Sequence, residues 1–343
     1  LALGGFELAT VEVFVYRLAR DLQYAEAAAL ALVELAIALG VLFAYLRYEA
    51  ATAVSARRVR PLPRKPLWPT AWTPRALAER AGIVTYAGIV AVVFLAPIVS
   101  MLLASVTTAD GSLTLDHYRF LLTRQQTGAA FQVRPWPAVR NSVLFAGASA
   151  LVALPMGVVV AVITTRASRG RSLVGAVAMA PFAVSGILVG LGLLRGLVFG
   201  VEVAGWRIAV AGSAAIVAAH AVAGYPFVVR TVAPGLASLD ASLVESARAL
   251  GASRARALFD IELPLVWPGV VAGAAFAVAI SMGEFTATVV LATGADAYTM
   301  PVAIERFIGR RLGPATAMGV VLLVVTGVSF LVIERLGGEV RDY

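Results

Sequence analysis

Seven stretches of this chain are each long and apolar enough to cross a bilayer, and this excludes most folds at once. They are Tyr24 to Leu46, Ala81 to Val106, Ser142 to Ile163, Leu173 to Leu197, Ile208 to Val229, Pro268 to Thr293 and Ala315 to Ile333. A helix needs about 20 residues to span roughly 30 Å of hydrocarbon. In lipid the backbone must satisfy its own polar groups, which leaves helices or closed barrels. The segments are rich in Ala, Val, Leu and Gly without polar alternation, so helices are favoured over barrel strands. With 60% apolar and 14% charged residues, too little polar surface remains for a soluble domain, where about a quarter of residues are charged. The expected fold class is all-α, a polytopic membrane protein with seven transmembrane helices.

Orientation follows from Lys and Arg, because basic loops stay cytoplasmic. If the linker Arg47 to Arg80 is inside, the inner segments hold 17 of the 28 basic residues, including Arg166, Arg169, Arg171, Arg335 and Arg341. The expected topology in the cell membrane is N-terminus of this chain outside and C-terminus cytoplasmic. The net charge of +8 is placed as flanks of apolar spans and not as a stripe with interleaved aromatics, so no nucleic-acid partner is expected. The chain has no Cys and two His, His117 and His220. That composition excludes disulfides and thiolate metal sites, and no metal or cofactor is expected.

An internal repeat organises the chain. At an offset of 289 positions, Phe6 to Arg20 lies beside Ala295 to Gly309, pairing Thr10 with Thr299, Val13 with Val302, Val15 with Ile304 and Arg17 with Arg306. Each copy is followed by one apolar span and a charged tail. The expected domains are 1–46, the last helix and preceding outer segment of an upstream module; 47–80, a basic Pro-rich cytoplasmic linker; and 81–335, a six-span module. The opening Leu1 and the missing basic n-region do not fit a signal peptide. The chain is expected to be the C-terminal part of a fused two-module protein.

Between the fifth and sixth spans lies a polar stretch, ESARALGASRARALFDIELP, Glu245 to Pro264. Asp240 is expected to cap a helix over Ala241 to Leu250, Gly251 to supply a left-handed turn, and Ser253 to cap a second helix over Arg254 to Phe259. Pro264 is expected to stop that helix before the next span. Leu243, Ala247 and Leu250 fall on one face of the first helix. By itself this could be an interfacial loop that only joins two spans. The spacing of Glu245, Ala247, Gly251, Ile261, Leu263 and Pro264 is more specific.

That spacing resembles the EAA motif of ABC importer permeases, the inner-membrane components of binding-protein-dependent transport systems. Asn141-Ser142 at the start of a span and Ala219-His220 followed by Tyr225-Pro226-Phe227 extend the resemblance over roughly Ala81 to Arg335. It implies a six-helix, MetI-like permease module whose loop 240–264 docks on a separate cytoplasmic ABC ATPase, a dimer, with Glu245 as the acidic contact. It also implies an extracytoplasmic solute-binding protein as partner, beside the lipid bilayer. Ser246 departs from the usual Ala. The only Lys, Lys65, follows Arg64, so the chain has no phosphate-binding P-loop and is not expected to be an enzyme; ATP hydrolysis falls to the partner.

Within the spans, Glu284 and His220 are candidates for the translocation path, because intramembrane ionisable groups are costly. Packing against neighbouring spans is the other reading of His220, and a buried hydrogen bond that of Glu284. Gly186-x-x-x-Gly190 and Gly269-x-x-x-Gly273 are expected to let helices approach closely, and Arg195 to snorkel to headgroups. Fusion of two modules, together with Tyr298 to Arg310, resembles permeases for thiamine and for iron(III). Thiamine, a cation that Glu284 could meet, is the expected solute; iron(III) or another small solute is the alternative. An ion-coupled secondary transporter would need intramembrane acids and inverted repeats, and a membrane enzyme a catalytic constellation; the sequence supports neither well.

Overall fold

The computed structural model describes residues 10–21, 23–52, 68–69, 72–123, 133–166, 175, 178–182, 184–203, 205–292 and 294–338. Residues 1–9, the centre of the expected linker with Lys65, the inner-loop residues Arg169 and Arg171, Leu173, Thr293 and Arg341 lie outside the described residues.

Among the described residues the regular structure is helical apart from one short hairpin and an isolated bridge between Thr107 and Leu113. Helix α1, Val11–Arg20, is capped by the Thr10 hydroxyl, which accepts from the Val13 amide, and leads to α2, Tyr24–Thr52. Next come α3, Pro74–Ser105, α4, Asp116–Thr123, and α5, Pro135–Arg166. Helix α6, Gly186–Leu193, continues into a π turn over Leu194–Val198. Strands β1, Val201–Val203, and β2, Trp206–Ile208, pair antiparallel. Helix α7, Gly212–Ser238, is followed by the short helices α8, Ala241–Ala249, and α9, Arg254–Ala257. Then come α10, Trp267–Gly283, α11, Thr286–Leu291, α12, Met300–Ile308, and α13, Leu312–Gly338.

The centre is a three-helix contact of α5, α7 and α10 built from small residues. Ala150, Ala153, Ala161, Ala221, Val228, Val232 and Ala277 are buried together there. Val228 is the point of closest approach. A Cβ added to Gly157 of α5 would collide with its side chain, and one on Gly273 of α10 would lie 3.1 Å from its Cα. Helix α3 is the opposite case, with none of its most apolar stretch buried. It packs along α13, where a Cβ on Gly319 would meet the Met101 sulfur.

Among the described residues five helices are long and apolar enough to cross a membrane unbroken, and a sixth span is counted if the bent pair Arg254–Leu265 and Trp267–Gly283 is taken as one. Three of the seven expected spans are therefore corrected. In the fourth, a 3₁₀ turn over Ala180–Phe182 containing Pro181 precedes a fresh start at Gly186, where the Ser185 hydroxyl accepts from the Ile187 amide. Proline removes a backbone donor and Ser185 caps the new helix, so the expected continuous helix divides. The fifth starts at Gly212 and not at Ile208, which belongs to β2. The sixth ends at Gly283, and Glu284 and Phe285 separate it from α11.

The two stretches aligned in the sequence fall on elements of similar order. Thr10 and Thr299 each immediately precede a helix, Val11–Arg20 and Met300–Ile308, and each helix is followed by a long apolar one, α2 and α13. Helix α1 packs on α6 through Val15, Ala19 and Ile187, and Ser185 donates to the Glu12 carboxylate at 2.7 Å.

Candidate functional site

The polar stretch after α7 forms the expected helix, turn and helix. The Asp240 carboxylate accepts from the Ser242 amide at 2.9 Å and the Ser253 hydroxyl from the Arg256 amide at 3.2 Å, each satisfying a first-turn donor. Gly251 has φ +92°, the left-handed conformation that an L side chain resists. The hydrogen bonds of the Asp240 carboxylate to Ser242 hold its pKa below the usual carboxylate value.

One expectation fails. Pro264 does not stop the second helix; the helical path runs through it to Leu265. A π turn over Leu258–Glu262, closed by the Leu263 amide on the Leu258 carbonyl, inserts an extra residue just before the proline. That register shift absorbs the missing donor. The break falls instead at Val266, where the chain turns by 79° into α10.

Nothing in α8 is buried, and Leu250 and Phe259 are 91% and 65% exposed. Glu245 is exposed as well, Ala247, Ile261 and Leu263 are half-buried, and Pro264 is exposed. Leu243, at 45% exposure, is a third apolar side chain left open on this capped loop. Glu262, between Ile261 and Leu263, is the exception: it is 5% exposed, and its two carboxylate oxygens take the Arg166 guanidinium at 2.5 and 2.7 Å. Sequence reasoning passed over both partners. An acid inside an otherwise apolar Ile-Glu-Leu-Pro run was the signal, since charge is buried only when paired.

The structure brings Glu284 and His220 together. His220 is 1% exposed; its Nδ1 lies 2.6 Å from the Ser281 hydroxyl and its Nε2 2.7 Å from the Thr288 hydroxyl and 3.5 Å from Glu284. Glu284 accepts from the amides of Ala287 and Thr288 and from the hydroxyls of Thr286 and Thr288, all within 3.1 Å. Its carboxylate thus caps α11 across the break in the sixth span. A cavity of about 390 Å³ beside it is lined by Gly283, Phe285 and Thr286 but not by Glu284 itself. Glu12 and Tyr16 of α1, Ile187 of α6, and Ile304 and Glu305 of α12 complete much of the wall. Both side chains are engaged by internal partners.

The Gly pairs are close-contact points. A Cβ on Gly190 would stand 3.1 Å from the backbone of Ala287, and one on Gly269 would stand 2.6 Å from the Thr231 carbonyl. Arg195 is exposed, in the π turn after α6. Among the described residues no group of three or more His, Cys, Asp or Glu could hold a metal ion.

Residues 140–342 match the family model for the binding-protein-dependent transport system inner membrane component. The molybdenum transport system permease protein ModB of Escherichia coli K12 is 31% identical over 225 residues, covering 60% of this chain and 95% of that protein. The molybdate/tungstate transport system permease protein WtpB of Pyrococcus abyssi is 30% identical over 206 residues, covering 60% of this chain and 79% of that one. Among solved structures, a bacterial ABC transporter involved in import of the acidic polysaccharide alginate has a similar fold. It gives a TM-score of 0.64 at 19% identity over 78% of this chain and 97% of that chain.

Proposed function

This chain belongs to the binding-protein-dependent transport system inner membrane components, the ABC importer permeases, and from that premise we propose that it conducts molybdate or a similar tetrahedral oxyanion. It is a multi-pass transport subunit and not an enzyme. The observation that carries its coupling to a separate ATPase is the capped loop with Leu243, Leu250 and Phe259 turned outward. In this reading Glu245, Ala247 and Gly251 lie at the ATPase contact, while Ile261, Leu263 and Pro264 join it to the spans.

The solute is read from the relatives, whose names specify molybdenum, molybdate or tungstate. Thiamine and iron(III), expected from module fusion, draw no support from them. The case for a cation also loses its residue, because the Glu284 carboxylate is engaged by two amides and two hydroxyls. A solute-binding protein delivers the oxyanion from outside, and the basic flanks set the cytoplasmic side, with this chain's N-terminus outside. The fused-module reading rests on Thr10 and Thr299 each preceding a short helix, α1 and α12. The test is uptake of labelled molybdate by vesicles of the whole transporter. Uptake that needs ATP and a binding protein, and that tungstate inhibits, is expected. Thiamine uptake under the same conditions, or molybdate uptake on an ion gradient alone, would overturn the reading.

A further inference from the structure

Ala257, Glu262 and Val266 are the buried residues in the described part of the loop. Val266 packs among Val232, Leu236 and Leu263, at the base of α7 and α10. Glu262 reaches a different helix by holding Arg166 at the very end of α5. A buried carboxylate left without its partner is strongly disfavoured, so this pair fixes where the end of α5 sits relative to the loop.

The opposite end of α5 is pinned as well. Asn141, 5% exposed, donates from Nδ2 to the carbonyls of Asp296 and Tyr298 at 2.6 and 3.0 Å. Ser142, 2% exposed, accepts from the Met300 amide at 2.8 Å. These are the residues that lead into α12, which brings Pro301, Ile304, Glu305 and Ile308 to the cavity wall. Helix α5 runs unbroken between the two clamps, past Pro155. From Ser142 to Arg166 the helical rise gives about 36 Å, more than the hydrocarbon thickness.

We propose that α5 is a transmission rod. The Arg166–Glu262 pair picks up displacement of the coupling loop, and the Asn141–Ser142 clamp delivers it to α12 and the cavity wall. A charge pair suits the receiving end: Coulomb attraction falls off slowly with distance, whereas packed side chains lose contact within about 1 Å. Arg166 and Glu262 are positioning residues and touch no solute. The inference rests on the loop being the ATPase contact.

The chain has no cysteine, so a spin-label pair introduced at Ile308 and Trp206, both exposed, reports the position of α12 without background. In the reconstituted transporter with its ATPase, ATP should change the distance between the labels. E262Q and R166Q should keep ATPase association and hydrolysis but reduce both the distance change and transport per ATP about tenfold. The exchange R166E/E262R should restore both to within about threefold. N141A should reduce the distance change like E262Q, and the double variant should lose little more, as expected of two clamps on one rod. If E262Q and R166Q keep the wild-type distance change and transport per ATP, the rod is wrong. It is also wrong if the exchange folds, shown by a wild-type elution profile, yet stays uncoupled. A wild-type chain that neither binds an ATPase nor responds to ATP would overturn the coupling-loop reading, and the rod with it; a coupled wild type with an equally coupled E262Q overturns the rod alone.

Discussion

Gly190 of α6 and Ala287 of α11 meet backbone to backbone: a Cβ on the glycine would lie 3.1 Å from both the Cα and the carbonyl oxygen of Ala287. One turn away, a Cβ on Gly186 would collide with the Thr286 hydroxyl and come within 3.0 Å of Glu284 Oε1. Van der Waals packing of this kind is what joins helices in lipid, where apolar burial gives no net drive. G186V and G190V should each lower stability by about 1–3 kcal/mol by forcing α6 and α11 apart. A Cβ on Gly192 of the same helix would meet nothing within 4 Å, so G192A should leave the thermal midpoint in detergent unchanged or higher. Equal losses at all three positions would contradict the packing.

His220 joins α7 to α10 through Ser281 and to α11 through Thr288. Removing it in H220A should cost about 1–2 kcal/mol, since a buried bridge is lost and a cavity is left. H220Q keeps one of the two hydrogen bonds and should fall between H220A and the wild type. Thermal unfolding in detergent measures this order. A substrate role alone would impair uptake and leave the melting temperature in place.

The outward face of α8 should be tolerant for folding and intolerant for coupling. L250D changes a side chain that is 91% exposed, so stability should move by less than about 0.5 kcal/mol. Co-purification with the ATPase should nevertheless fall sharply, and E245K should behave alike. G251V should act differently, because φ +92° strains a β-branched residue and misaligns α8 with α9.

Asp240 gives the loop a pH dependence. Its pKa is held below the ordinary 3.8 chiefly by hydrogen bonding with Ser242. A depressed carboxylate contributes capping that is fully present above its unfolded pKa and is lost as pH falls through the folded one. Hydrogen-exchange protection of the α8 amides should therefore stay level from neutral pH to the onset of carboxylate titration and drop below it. D240N retains a capping oxygen and should show no such drop.

The sequence made the spans legible because length and hydropathy are local properties, and the caps at Asp240 and Ser253 and the turn at Gly251 because residue type alone specifies them. The close contacts of Gly190 and Gly269 were legible from spacing. Features set by distant partners escaped reading. Glu262 is 96 positions from Arg166, and Asn141 is 155 from Asp296. Helix breaks escaped for a related reason. Glu284 reads as one acid in a span until Ala287 and Thr288 show it capping a new helix. Pro264 misled because a proline is a stop only where the backbone cannot add a residue, and the π turn at Leu258–Glu262 adds one.

The 79° turn at Val266 makes the loop and α10 a crank with unequal arms. The long arm, 17 residues from Trp267 to Gly283, extends about 25 Å at the α-helical rise per residue. A tilt of about 10° at the short arm would therefore swing Gly283, on the cavity wall, by about 4 Å. For one and the same tilt the longer arm moves farther at its tip, so a small displacement of the loop becomes a larger one at the cavity wall.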